Sequence, residues 1–285
     1  MIDQAESLRK QLLDAETDGA RVLAVVSGKG GVGKTNITVN LALSLIKLGK
    51  KVLVLDLDVG MGNVDLILGR KAKHHIMNMM ENKLSVWEII EEGKEGLHTI
   101  AGGRNFTSLV NITDDMLNHF VKQLEELGRF YDFIFLDMGA GVTDTALKFI
   151  LSSHEILVIA TPEITSITDA YSMMKFIYSK DKELPFYLAV NRCENEREGQ
   201  ETSAKLKNVC KQFLQKELVC LGTIPMDPAV LESVKRQTPF TLNKPYSKAS
   251  QSVLELARTF AGFSKEQKAS YTSFITRLKS FFTER

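Results

Sequence analysis

From Arg21 onward the chain alternates short apolar runs with stretches whose apolar residues recur every three or four positions. The runs are VLAVVS (22–27), KVLVLDLD (51–58), FIFLDM (133–138), ILVIAT (156–161), PFYLAVN (185–191) and LVCLGTIP (218–225). Most are apolar at successive positions, as strands buried on both faces of a parallel sheet must be. Helical spacing falls between them, near 34–48, 113–128, 143–152, 166–179 and 200–216. Such alternation predicts right-handed βαβ units and an α/β fold, a doubly wound, mostly parallel sheet with helices on both faces. The pattern is fainter over 74–92 and in a strand near 97–101, and helices near 228–237 and 247–261 follow the last strand. Residues 1–20 predict a short helix with Ile2, Ala5, Leu8 and Leu12 on one stripe; Asp3 and Glu6 are spaced as a capping box and Gly19 closes it. A further helix follows Gly262. The expected organisation is therefore 1–20, 21–262 and 263–285.

Composition adds limits. With 44% hydrophobic and 25% charged residues the chain has the balance of a soluble globular protein. A formal net charge of +1 argues against a surface that is basic throughout and coats nucleic acid, although a local patch stays open. The three cysteines, Cys193, Cys210 and Cys220, form no C-x-x-C pair, so inert thiols in a reducing compartment are expected. No apolar run approaches the ~18 residues of a membrane span. Asp3 and Glu6 stand where a secretory leader would be basic, which makes a cytoplasmic protein the expectation.

The candidate chemistry begins at Gly28-Lys29-Gly30-Gly31-Val32-Gly33-Lys34-Thr35, followed by Asn36. This matches G-x-x-x-x-G-K-[ST] and lies between an apolar run and a helix, the context such a loop requires. Glycines let backbone N–H groups turn inward around a phosphate, and the following helix N-terminus favours negative charge. Lys34 is expected at the β/γ-phosphates of ATP and Thr35 in the Mg²⁺ shell. Asp56 and Asp58 end one apolar run and Asp137 ends another, at the carboxyl ends of strands, where open α/β sheets place ligands.

With Lys29 at its start, KGGVGKT resembles the deviant Walker A box of the MinD/ParA group of ATPases. The resemblance implies that ATP joins two chains in a homodimer, with Lys29 reaching the partner's phosphates. It also implies that Asp58 positions the attacking water, that Asp56 supports the metal or the dimer contact, and that Asp137 holds Mg²⁺ through water. Gly139 and Gly141 would free a second switch segment to sense the γ-phosphate. LAVNRC is similar to the group's base-binding strand end, which implies Asn191 and Arg192 at the purine. IPMDPAV adds Pro225, Met226 and Asp227, and Thr161-Pro162-Glu163 would aim Glu163 at the partner's nucleotide; a plain turn remains open for each of these loops.

The two ends narrow the resemblance. The last segment carries Tyr271, Phe274, Ile275, Leu278, Phe281 and Phe282 at helical spacing, with Lys265, Lys268, Arg277, Lys279 and Arg285 around them. The residues alone fit an interfacial membrane helix and a helix docked on the body equally. MinD-type ATPases end in a lipid-binding helix of this kind, which implies reversible attachment to the inner face of the cell membrane. DQAESLRK (3–10) resembles the DQAxxLR stretch of the FlhG branch, also called YlxH or FleN, which regulates flagellar number and placement. That implies contact with an FlhF-type GTPase through Asp3, Gln4, Leu8 and Arg9. The helix near 200–216 has Lys205, Lys207, Lys211 and Lys216 over Leu206, Val209, Phe213 and Leu214, a solvated basic face that could meet flagellar C-ring switch proteins. Two other functions would leave different marks on the sequence. A partition ATPase of the ParA type would bind DNA nonspecifically through a basic patch and with strong salt dependence. An iron–sulfur relative would need thiolates near the switches, whereas every cysteine follows residue 192.

Overall fold

The computed structural model describes residues 19–58, 63–103, 113–139, 141, 143–263 and 270–283. The expected contacts of Asp3, Gln4, Leu8 and Arg9 lie outside these residues. Among the described residues the strands are β1 (Arg21–Val26), β2 (Val52–Leu57), β3 (Glu91–Glu92), β4 (His98–Ala101), β5 (Phe133–Met138), β6 (Glu155–Ala160), β7 (Phe186–Cys193) and β8 (Leu218–Pro225). They form one sheet in the order β3-β4-β2-β5-β1-β6-β7-β8. All pairings are parallel except that of β3 with β4 at the edge. Every residue of β1, β2, β5 and β6 is buried, which is why those segments read as unbroken apolar runs.

The helices are α1 (Lys34–Lys47), α2 (Asn63–Leu68), α3 (Ile76–Asn82), α4 (Val86–Ile89), α5 (Asp114–Leu127), α6 (Asp144–Ser152), α7 (Ile164–Lys180), α8 (Glu196–Val209), α9 (Pro228–Lys235), α10 (Phe240–Asn243), α11 (Lys248–Phe263) and α12 (Tyr271–Thr283). Successive strand side chains point to opposite faces, so the sheet separates two cores. Val22, Ala24, Ile134 and Leu136 face α5, α6, α7 and α12; Leu23, Val25, Phe133 and Phe135 face α1 and α11.

Packing bears on two expectations. A π turn over Cys210–Leu214 follows α8, and Gln215 ends it in the left-handed region at φ 50°. That extra residue per turn rotates the side chains, so Leu206 and Leu214 stay buried while Phe213 is 64% exposed rather than over the core. The second expectation concerns α12. Phe274, Ile275 and Leu278, expected to face lipid, are 2%, 5% and 0% exposed, and Phe281 and Phe282 are half-buried. They fill an apolar groove beside α5 and α6, with the Phe282 ring 6.0 Å from that of Phe149. In this conformation the stripe is core, and burial stabilises it by roughly 1.5–3 kcal/mol per large side chain.

His154 anchors the start of this helix. Its Nδ1 accepts the Val22 N–H at 3.0 Å and its Nε2 lies 3.2 Å from the Ser270 carbonyl, to which it donates. Burial pushes its pKa from 6.5 down to about 4; the Ser270 contact opposes this, and the charges of Arg21 and Arg277 add to it. Between those two values the folded chain binds fewer protons than the unfolded chain, so stability is lost as pH falls through that window. Acidification from pH 7.5 to 5.5 should therefore cost ~1 kcal/mol through this residue. His154→Gln should flatten that part of the slope in urea titrations at the two pH values; an unchanged slope would remove His154 from the account.

Candidate functional site: a phosphate loop at the switch point of the sheet

β1 lies at the centre of the sheet, and the chain leaves its carboxyl end through the 28–35 loop into α1. Gly31 and Gly33 adopt φ of 78° and 91°, which glycine takes without strain. Gly28 is fixed by space, because a Cβ there would collide with the backbone of Asp169 and Ala170 in α7. The N-terminus of α1 has no side-chain cap and no acidic residue in its first turn. Its orphan amides are thus left for an anion. A cleft of about 410 Å³ opens there, lined by Gly30, Gly31, Gly33, Lys34, Thr35, Asn36, Asp58, Asn63 and Arg192 among others.

Beneath the loop, β2 and β5 place Asp56 directly opposite Asp137. Asp137 is fully buried; its Oδ1 accepts from Lys34 Nζ at 2.7 Å and from the Thr38 hydroxyl at 3.1 Å, while Oδ2 has no partner among the described residues. Asp56 is 3% exposed, and its pKa is raised to about 7 by burial and then by the Asp137 charge, against the pull of the Val64 and Asp58 amides and of Lys34. Two adjacent buried carboxyls, one with an open oxygen and one poised near neutrality, suit a divalent cation with Thr35 at the rim. Asp58 stands above them: its N–H bonds Asp56 Oδ1 at 3.1 Å and its Oδ2 accepts from Asn63 Nδ2 at 2.9 Å.

Lys29 behaves differently from Lys34. Its Nζ sits at the rim, 2.8 Å from Glu163 Oε2 and 3.2 Å from the Thr165 hydroxyl. Both side chains are about half exposed. The hydrogen bond and charge of Lys29 hold the Glu163 carboxyl below its usual range. Glu163 thus meets a lysine of its own chain here.

The expected base contacts are less assembled. Asn191 is buried and donates Nδ2 to the Val32 carbonyl at 2.8 Å, bracing the phosphate loop from β7. Arg192 reaches the cleft from a left-handed position, φ 59°. Met226 is 65% exposed. Both carboxylate oxygens of Asp227 are committed to backbone, Oδ1 to Ala229 N–H and Oδ2 to Ala249 N–H, so Asp227 caps α9 and ties it to α11 beside Pro225. Thr38 and Asn63 were missed by sequence reasoning. Thr38 stands one helical turn after Lys34, a legible signal; Asn63 follows Asp58 across a segment outside the described residues.

The arrangement has close counterparts. A family model described as ParA, NUBPL iron-transfer P-loop NTPase, matches residues 19–261. The chain belongs to the ParA family of P-loop NTPases. It is 33% identical to the antiactivator FleN of Pseudomonas aeruginosa over 81% of this chain and 82% of that one. The flagellum site-determining protein YlxH of Helicobacter pylori is 35% identical over 92% of this chain and 88% of that one. Among solved structures, MinD of Pyrococcus horikoshii complexed with Mg-ADP superposes with a TM-score of 0.69 at 26% identity, over 86% of this chain and 98% of that one. MinD of Aquifex aeolicus gives 0.67 at 29%, over 85% and 97%. As a MinD-like member of the ParA family, the protein is an ATP-binding ATPase. Cys193, Cys210 and Cys220 are free thiols, and burial pushes those of Cys193 and Cys210 up to about 11.

Proposed function

We propose that this ATPase is a dimerising switch that regulates the number and placement of flagella. ATP with Mg²⁺ binds at Gly28 to Asn36, the ion held by Thr35, Asp56 and Asp137 and supplying charge neutralisation at the phosphates. Asn191, Arg192, Pro225, Met226 and Asp227 shape the base end. Asp58 orients the water that ends the ATP state. In that state two copies join, with Lys29 of each reaching the other's phosphates and Glu163 close by. The names of the two flagellar relatives support the process, and the likeness to MinD supports the manner. Phe274, Ile275, Leu278, Phe281 and Phe282 then meet the inner face of the cell membrane, which requires α12 to leave its groove; between cycles the protein is cytoplasmic. Residues 3–10 engage an FlhF-type GTPase, and flagellar C-ring proteins are the other partners. Among the described residues no helix is long and apolar enough to cross a membrane.

One observation carries this reading: Lys29 is held at the rim by Glu163 and Thr165, turned away from the cleft that Lys34 serves. An exposed, solvent-screened pair of this kind is weak, so the lysine can leave it readily for a phosphate on another chain. Lys29→Ala should keep ATP affinity within about threefold, since Lys29 does not line the phosphate cleft of its own chain. It should also abolish the ATP-dependent dimer in light scattering and the ATP-dependent sedimentation with anionic liposomes. A Lys29→Ala protein that still dimerises with ATP would exclude the shared site.

A further inference from the structure

The first residue of α12 touches both the body and the base of the N-terminal segment. The Tyr271 ring is 7% exposed and lies in a slot whose walls are glycines. A Cβ at Gly128, in the turn after α5, would collide with the ring, and a Cβ at Gly19 would come within 2.5 Å of Tyr271 Cβ. Neither wall can carry a side chain while the ring is in place. The Tyr271 hydroxyl donates to the Leu124 carbonyl at 2.8 Å, which fixes the ring's depth. Gly19 holds φ 63°, and the next amide, Ala20 N–H, donates to the Gly128 carbonyl at 2.9 Å. One side chain therefore presses together the turn after α5, the start of β1 and the residue from which positions 1–18 depart.

We propose that Tyr271 is a wedge that couples the two ends of the chain: when α12 leaves its groove, the slot between Gly19 and Gly128 empties and the root of residues 1–18 loosens with it. Withdrawing the ring removes the contact that closes the slot, and Gly19 is a residue with unusually many backbone states to recover. Coupling of this sort is reciprocal, so disturbing the root must also loosen the helix. The proposal builds on the reading of both ends as working segments, but the coupling is physical and is measured without lipid, nucleotide or GTPase.

Hydrogen exchange of the full-length protein without nucleotide tests it. Tyr271→Ala should speed exchange about tenfold or more both along 271–283 and at the Ala20 amide, with the β5 amides unchanged as the measure of an intact sheet. Tyr271→Phe keeps the ring and should leave Ala20 protected. Gly19→Ala works from the other side and should speed exchange along 271–283 by a similar factor. Should Tyr271→Ala unfold the sheet, Tyr271→Leu, which keeps an apolar side chain in the slot's mouth, is read in the same way. Faster exchange in α12 with Ala20 unchanged, or an α12 indifferent to Gly19→Ala, would overturn the coupling while leaving the proposed function untouched.

Discussion

Lys34→Ala is expected to weaken ATP binding by a hundredfold or more, because a charge-assisted contact to phosphate at this depth contributes about 3 kcal/mol. A second cost appears without ATP. Lys34 Nζ is bonded to Asp137, and that carboxylate is fully buried with Oδ2 unpartnered among the described residues. Removing one member of a buried pair leaves an uncompensated charge and typically costs 3–5 kcal/mol, roughly. The variant should therefore melt earlier than the parent even in nucleotide-free buffer, and adding Asp137→Asn should recover part of that loss. Titration calorimetry reads the first effect and thermal unfolding the second. Retained micromolar affinity would sink the site; unchanged melting would show that Asp137 finds another partner.

Asp58→Ala is the other large effect, and of the opposite character. Asp58 lines the cleft, steadied by Asn63 and by its own N–H on Asp56, yet it is not among the groups that grip phosphate. Its loss should lower the hydrolysis rate by about 10²–10⁴, the range for a displaced acid–base or water-orienting group. ATP affinity should stay within a few-fold, so the ATP-bound dimer should accumulate. Single-turnover phosphate release and light scattering with ATP measure the two halves. A monomer in ATP, or a rate within threefold of the parent, would reassign the water-positioning role. Asn63→Ala, which removes only the brace on Oδ2, should give a smaller loss of the same kind.

Legibility differed from one part of the chain to another for physical reasons. The phosphate loop could be read because its chemistry is local: four glycines, two lysines and a threonine within eight residues, between a strand and a helix. The strands could be read because burial on both faces keeps their middles apolar and confines charged residues such as Arg21, Asp56, Asp137 and Glu155 to the ends. The facing of Asp56 and Asp137 needed strand order as well, since each aspartate alone is only a strand end. The α12 stripe was ambiguous in principle, because a groove and a lipid surface demand the same apolar spacing. Phe213 departs from the helical stripe because a π turn changes the angular period and carries no composition signal. Half of the Asp227 environment is local, since Asp227 directly before Pro228 is a helix-cap signal, whereas its bond to the Ala249 amide, 22 residues on, needs the fold.

The glycine that opens the phosphate loop has one more consequence. Gly28 lies flush against the backbone of α7 at Asp169, so the loop cannot shift toward that helix without displacing it. From Asp169 the same helix runs on without a break to its cap at Asp181, ~18 Å further along the axis at 1.5 Å per residue. There Asp181 meets Arg277 of α12 at 3.5 Å. A stiff rod with its fulcrum near the nucleotide and its tip on the terminal helix has leverage: a small tilt at one end becomes a larger stroke at the other.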